Sequence, residues 1–334
     1  MAPLRGFRGH SKLNRQARSC AKEMPSATSL PGAFASSQPK RRGRRLGAAV
    51  APYFFLAPFL VLFLAFLIAP LAYALYTSVF RDTLVGGRQF VAFANYARAA
   101  GDAKFWGGVS NLLFFGVVQV PLMLGLALLF GVILDRGNVH APGLFRLGFF
   151  IPYAVPTVIA ALVWGYIYGP VFGPFSQLAK WAGLPPPDFL SDRMMLFSLA
   201  NIVTWEYTGY NMIIYYAALK AIPSELREVA EIDGASPRQY AWYVQLPLIW
   251  PAILLTIIFS INGTLQLFNE PFLMRAVAPQ VISTHYTPNI YAYFLAAANQ
   301  QYNYAAAVSF VLGLVIVSIA YLFTLATNRR ESVA

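Results

Sequence analysis

The stretch EVAEIDGASPRQYAWYVQLP, residues 228–247, gathers Glu228, Glu231, Asp233 and Arg238 in a chain that is 58% hydrophobic and only 11% charged. Charges this close together in so apolar a chain must meet water or another protein. Local signals predict two short helices here. Ser224 after Pro223 is placed to cap a first helix, with Glu225 and Glu228 in its electropositive first turn. Leu226, Val229 and Ala230 fall on one face, flanked by Arg227, Glu228 and Glu231. Asp233-Gly234 supplies a stop, because glycine tolerates the left-handed conformation that ends helices. Ser236-Pro237 then starts a second helix, with proline at its first position. Both are too short and too polar to cross a membrane.

The rest of the chain has the opposite character. Its 334 residues have a mean hydropathy of +0.55 and are 16% aromatic, which points to an all-α, polytopic membrane protein rather than a soluble domain. About 20 apolar residues in a helix cross a hydrocarbon core of roughly 30 Å. Six runs qualify: 52–80, 109–134, 147–168, 195–219, 249–269 and 305–327. Pro58, Pro70, Pro121, Pro152 and Pro156 lie in or at the ends of these runs, where neighbouring helices can satisfy the backbone groups they free. The first run is too long for a cleaved signal peptide, so it reads as an uncleaved span.

The net charge of +12 does not imply nucleic acid, because its distribution follows membrane topology. Lys and Arg are retained on the cytoplasmic side. Eleven of the 25 precede the first run, two fall in 135–146, three in 220–248 and two after the sixth run. Only seven lie in the alternate loops. An even number of spans puts both termini inside a bacterial cell membrane. Residues 1–50 read as a disordered basic tail with starts possible at Met1 or Met24, 51–330 as the six-helix domain with its inner loop at 220–248, and 331–334 as a short inner end. The single cysteine, Cys20, excludes an internal disulfide framework, and His10, His140 and His285 are too scattered for a metal site.

Polar residues inside the runs are costly unless they face a cavity or one another. Glu206 stands beside Trp205, Tyr207, Tyr210 and Asn211, and lies one helical turn from Tyr210. Asn262, Gln266 and Asn269 recur at helical spacing, followed by Glu270. Amides and carboxylates bind sugar hydroxyls and aromatic faces pack on sugar C–H surfaces, so Trp205, Glu206, Tyr210, Asn211, Asn262, Gln266, Asn269 and Glu270 are candidates for a sugar path. The alternative is hydrogen bonding between helices, which needs no ligand.

The loop spacing resembles the EAA loop of ABC importer permeases. That pattern is E-A-A, three residues, G, nine residues, then I-x-L-P. Here Glu228, Ala230, Gly234, Leu246 and Pro247 match, with Val229 and Val244 as small apolar departures. PYFFLAPFLVLFL, FRLGFFIPYAVPTVIAALVW and QQYNYAAAVSFVLGL also look like the carbohydrate-type subgroup, related to maltose and glycerol-3-phosphate permeases. One departure is MRAVAP, 274–279, where the subgroup has T-G-G-G-P; it suggests an outer loop shaped for a different binding protein or sugar. The resemblance covers most of 50–330. It implies a type I importer permease that pairs with a second permease, two ATPase subunits and an extracytoplasmic sugar-binding protein, and carries a di- or oligosaccharide. It further implies that Glu228, Val229, Ala230, Asp233, Gly234, Val244, Leu246 and Pro247 form the loop coupled to the ATPase, with Glu228 pairing with an ATPase arginine. ATP and Mg would bind the partner, since the chain has no G-x-x-x-x-G-K-[ST] motif.

Three readings compete with the coupled loop. The two helices could lie on the membrane surface as an amphipathic pair. A proton-coupled carrier using Glu206 and Glu270 would leave the 228–247 spacing unexplained. An intramembrane enzyme would need a serine–histidine pair or ligand cluster within the spans, and none is evident in the sequence.

Overall fold

The computed structural model describes residues 45–83, 86–137 and 139–331. Most of the expected tail, 1–44, and the end 332–334 lie outside the described residues. Contacts divide the chain into two compact units, 1–61 and 62–334. Helix α1 starts at Arg45, inside the stretch expected to be tail, and runs Arg45–Phe63, across the boundary at Val61. A π-helical turn, Leu64–Ile68, and α2, Ala69–Ser78, follow in the second unit.

The polar loop after α2 is more ordered than its composition predicts. An antiparallel hairpin pairs β1, Phe80–Thr83, with β2, Gly87–Phe90, in the register Phe80 opposite Phe90. Their rings meet edge-on at 5.4 Å, and the Arg88 guanidinium sits 4.7 Å from the Phe80 ring. Helix α3, Ala94–Ala100, follows, with Asn95 buried and donating to the carbonyls of Ser78 and Phe80 at 2.7 Å each.

The centre of the second unit is α4, Ala103–Asp135, laid along α8, Asp192–Lys220. Between them come α5, Pro142–Ala154; α6, Thr157–Ile167; and α7, Pro174–Trp181. After α8 the two short helices form as α9, Ser224–Ile232, and α10, Pro237–Tyr240. A π-turn, Ala241–Gln245, and α11, Leu246–Leu248, lead into α12, Trp250–Leu265. The chain ends with α13, Asn269–Met274; α14, Pro288–Ala297; and α15, Tyr302–Glu331.

Lipid gives no hydrophobic drive between helices, so close approach and hydrogen bonds must hold them together. Gly209 on α8 shows how close that approach is. A Cβ there would sit 1.7 Å from the Phe149 carbonyl oxygen of α5. Val120, Met123, Leu124, Ala127 and Leu134 of α4 pack with Met212 and Tyr215 of α8. The Tyr215 hydroxyl is 2.6 Å from Thr256 Oγ1, tying α8 to α12. At the N-terminal end of α4, Asp102 caps the helix through the Lys104 amide and accepts at 2.6 Å from the hydroxyls of Tyr291 and Tyr304.

Two expected spans are not single helices. The run 147–168 breaks at Val155-Pro156, and α5 and α6 meet at 97°. Proline disfavours helical conformation in the residue before it, and Val155 is extended. The run 249–269 ends as a helix at Leu265, with Gln266 as its C-cap. Among the described residues four helical stretches are long and apolar enough to cross a membrane, Tyr53–Ser78, Ala103–Asp135, Trp250–Met274 taken across its break and Tyr302–Leu325, or five if the bent α5–α6 pair counts as one crossing. Helix α8 is long enough at 29 residues, about 43 Å at 1.5 Å per residue. Its buried Ser198, Thr204, Glu206, Thr208 and Asn211 lower its apolarity.

Candidate functional site

Two polar regions lie along α4 and α8. The first is at their C-terminal ends. Asp135, the last residue of α4, is 5% exposed yet carries a carboxylate. Lys220 Nζ at the end of α8 is 3.0 Å from one carboxylate oxygen. Arg227 of α9, at 2.9 Å, and Gln245 Nε2, at 2.8 Å, donate to the other. Arg136 adds a longer bond to the Pro237 carbonyl, 3.4 Å. One side chain therefore ties together two long helices, the first short helix and the turn after the second. Sequence reasoning missed Asp135; its signal was an acid ending an apolar run, opposite basic residues in a loop some 90 positions away.

The paired helices match most of their sequence signals. Gly234 has φ +76°, and its amide and that of Ala235 close the end of α9 by bonding the carbonyls of Glu231 and Ala230. Ser236 and Gln239 form a reciprocal capping box with Pro237 at the first position. The start of α9 differs from expectation. Pro223 is the N-cap, Ser224 is already helical without a capping bond, and Glu225 is the acid in the first turn, not Glu228. Proline's fixed φ lets the helix begin one residue early. Glu228, Val229, Asp233, Gly234 and Pro247 are exposed, while Ala230, Val244 and Leu246 are half-buried. Ile232, Trp242 and Tyr243 add apolar surface, at 85%, 68% and 73% exposure.

The second region is a cavity of about 260 Å³ midway along the helices, walled by α4, α8 and α12 and by the break after α12. It brings together five of the eight candidate path residues: Tyr210, Asn211, Gln266, Asn269 and Glu270. The other three do not line it. Trp205 packs edge-on against Trp164, with centroids 5.8 Å apart. Asn262 is exposed and accepts from Gln266 Nε2 at 3.0 Å. Glu206 is 3% exposed and set behind the wall, where its carboxyl faces that of Glu270 and can bond it only if one of the two acids carries a proton. Glu206 and Tyr210 were expected to share the cavity face; instead the lining positions of α8 are Val203, Tyr207, Tyr210 and Asn211. Those follow helical spacing, and Glu206 is rotated about 100° from Tyr207.

The expected stripe of Asn262, Gln266 and Asn269 is likewise interrupted. Gln266 and Asn269 sit on either side of a break, not on one continuous helix. The break frees carbonyls at Leu265 and Leu267, and Asn289 Nδ2 donates to both, at 3.2 and 3.4 Å. Irregular backbone at membrane depth is tolerated where protein satisfies it or where it lines a cavity. Sequence reasoning also missed Gln119 of α4. It is 1% exposed, and its amide donates to Met123 Sδ at 3.2 Å, a weak acceptor. The 274–279 segment is anchored at two points: Met274 and Ala278 are fully buried, and Met274 and Val277 lie against Gly165 of α6, while Ala276, Val277 and Pro279 keep exposed surface.

Comparison with known proteins places this geometry. Residues 127–330 match the family described as binding-protein-dependent transport system inner membrane component. The lactose transport system permease protein LacF of Rhizobium radiobacter is 30% identical over 284 residues, spanning 84% of this chain and 94% of that protein. The arabinooligosaccharides transport system permease protein AraP of Halalkalibacterium halodurans is 26% identical over 277 residues, with 82% and 87% covered. The sn-glycerol-3-phosphate transport system permease protein UgpA of Agrobacterium fabrum is 27% identical over 224 residues, with 67% and 75% covered. In fold the chain is similar to one from a bacterial alginate ABC transporter solved with an alginate pentasaccharide-bound periplasmic protein. The TM-score is 0.75 at 20% identity, covering 87% of this chain and 98% of that one. The chain is a member of the binding-protein-dependent transport system inner membrane component family.

Proposed function

We propose that this chain is one of two permease halves of a bacterial ABC importer for a di- or oligosaccharide, driven by separate ATPase subunits that bind ATP and Mg. It would cross the membrane six times with both termini inside. The α5–α6 pair would serve as one crossing and α8 as another, its polar residues turned inward. An extracytoplasmic binding protein would deliver the sugar to the cavity walled by Gln119, Tyr210, Asn211, Gln266, Asn269 and Glu270. Sugar relatives such as the lactose and arabinooligosaccharide permeases support the cargo class.

The observation that carries this reading is the construction of 220–248. Helix α9 leaves Glu228, Val229 and Ile232 in solvent and the π-turn after α10 leaves Tyr243 there, while Asp135 fastens α9 and that turn to α4 and α8 through Arg227, Gln245 and Lys220. A helix held this way transmits displacement of a docked ATPase to the spans, because the charged ties resist independent movement. Glu228 would meet an ATPase arginine, and Gly234 sets the angle between the helices. A pair lying on lipid would not need so exact an anchor.

The test is sugar uptake and ATP hydrolysis by the assembled complex carrying Glu228→Ala with Gly234→Pro. The ATPase subunits should dissociate, or hydrolysis should continue without uptake. Normal uptake by the double variant would refute the coupling role. Uptake that persists without an ATPase but collapses with the proton gradient would favour a secondary carrier instead.

A further inference from the structure

The cavity wall has a charge character that its sugar-path reading does not itself require. Among the described residues its polar lining comprises Gln119, Tyr207, Tyr210, Asn211, Ser260, Thr264, Gln266, Asn269 and Glu270, with no Lys, Arg or His. Behind the wall Glu206 adds a second carboxyl that faces the Glu270 carboxyl, within hydrogen-bond reach if one of the two carries a proton, and has no base beside it among the described residues. Arg275, close in sequence, is turned elsewhere: its Nε donates to the Ile282 carbonyl and its guanidinium lies 4.5 Å from the Phe294 ring.

An anion leaving water needs a cation or several convergent donors to replace its hydration. This wall supplies isolated amides, hydroxyls and the Glu270 carboxyl, and among the described residues no cation that could compensate an anion. A neutral sugar has no such requirement. Its hydroxyls can donate to Glu270 and accept from Gln266 and Asn269, while Tyr207, Tyr210 and Phe268 offer faces for its C–H surfaces. We propose, on the basis of the sugar-path reading above, that this cavity admits uncharged saccharides and rejects anionic ones such as uronates and phosphorylated sugars. The chain's relatives include transporters named for both kinds of cargo, lactose on one side and sn-glycerol-3-phosphate on the other, so membership of the family leaves the choice open.

The potential in the cavity can be measured without knowing the sugar. Cys20 is the chain's single cysteine, so Cys20→Ser leaves this chain without a competing thiol, and the same complex without Gly263→Cys gives the background from its other subunits. Gly263 lines the cavity, and a Cβ there would meet nothing within 4 Å, so Gly263→Cys presents a thiol to it. In the assembled complex, its reaction with a sulfonate-bearing methanethiosulfonate is compared with that of a hydroxyl-bearing one of similar size. Both rates are normalised to a free thiol in solution. The anionic reagent should be about tenfold slower or more, and Gln266→Lys in the same background should narrow the gap. Equal normalised rates, or no reaction with either reagent, would overturn the proposal. Uptake of a uronate oligosaccharide as fast as a neutral one would also overturn it. If the charge discrimination appears but the complex imports no saccharide, the sugar-path reading fails separately.

Discussion

The Asp135 junction and the mid-helix cavity are built on the same pair of helices, yet treat polar groups in opposite ways. At Asp135 both carboxylate oxygens are occupied, by Lys220 on one side and by Arg227 and Gln245 on the other. Around the cavity, Glu206 behind the wall faces another acid, Glu270, rather than a base, Gln119 donates to a thioether, and the helix breaks between Gln266 and Asn269. A saturated polar group fixes neighbouring elements in one arrangement, whereas an unsaturated one next to empty space is costly until a ligand or water completes it. One region is therefore a mechanical joint and the other a receptive surface, and α8 links them.

The largest effect that could break this comparison lies between the two regions. Gly209→Ala would drive a methyl group into the Phe149 carbonyl, so α5 must separate from α8. We expect loss of folded complex, read as aggregation on size-exclusion chromatography in detergent. A monodisperse Gly209→Ala complex would show that this contact is not a rigid wall.

Asp135→Ala tests the joint itself. Its partners Lys220 and Arg227 are 50% and 37% exposed, so part of the lost bonding is recovered by hydration. The remaining loss is about 1–3 kcal/mol, or a fall in Tm of about 5 °C. Transport should fall further than ATP hydrolysis, because the anchor of α9 is lost. An equal fall in both would make Asp135 a stability residue alone.

At the opposite end of α4, Asp102 gives a smaller effect that depends on pH. Burial raises its carboxyl pKa, but hydrogen bonds from Tyr291, Tyr304 and the amides of Lys104 and Phe105 outweigh that, leaving it below the ordinary carboxylate value. Its contribution is thus present above the unfolded pKa of about 4 and disappears as pH falls through the lower folded value. Asp102→Asn should remove the part of the Tm decline between pH 5 and 3 that comes from this group. An unchanged pH profile would separate Asp102 from acid stability.

The smallest expected effect is the sharpest contrast. Glu206→Gln replaces a buried carboxyl that faces Glu270 with a neutral amide that can still donate to it, so Tm should stay level or rise slightly in thermal unfolding. A fall as large as that of Asp135→Ala would mean that the cavity, too, is a structural network.

Much of the local structure was legible in the sequence. Gly234 and the Ser236-Pro237 pair marked the turn and the restart, because left-handed backbone and proline's fixed φ are properties of single residues. The helical character followed from composition, since lipid leaves few ways to satisfy backbone groups. The break at Val155-Pro156 had its proline in plain view, but whether a proline bends or breaks a helix depends on what surrounds it.

The sites were less legible. Glu206 and Asp135 are both acids at the margin or interior of apolar runs, and sequence spacing favoured Glu206 as the cavity residue while passing over Asp135. Only tertiary structure showed that Glu206 is rotated behind the wall and that Asp135 meets Lys220, Arg227 and Gln245, two of them roughly 90 and 110 residues away. The sequence by itself determined which segments could be helical, where the short helices turn and which residues carry charge. Which charges would be neutralised, and which left facing a void, was decided by how the helices pack, because hydrogen bonds and ion pairs act over a few ångströms in space whatever their separation along the chain.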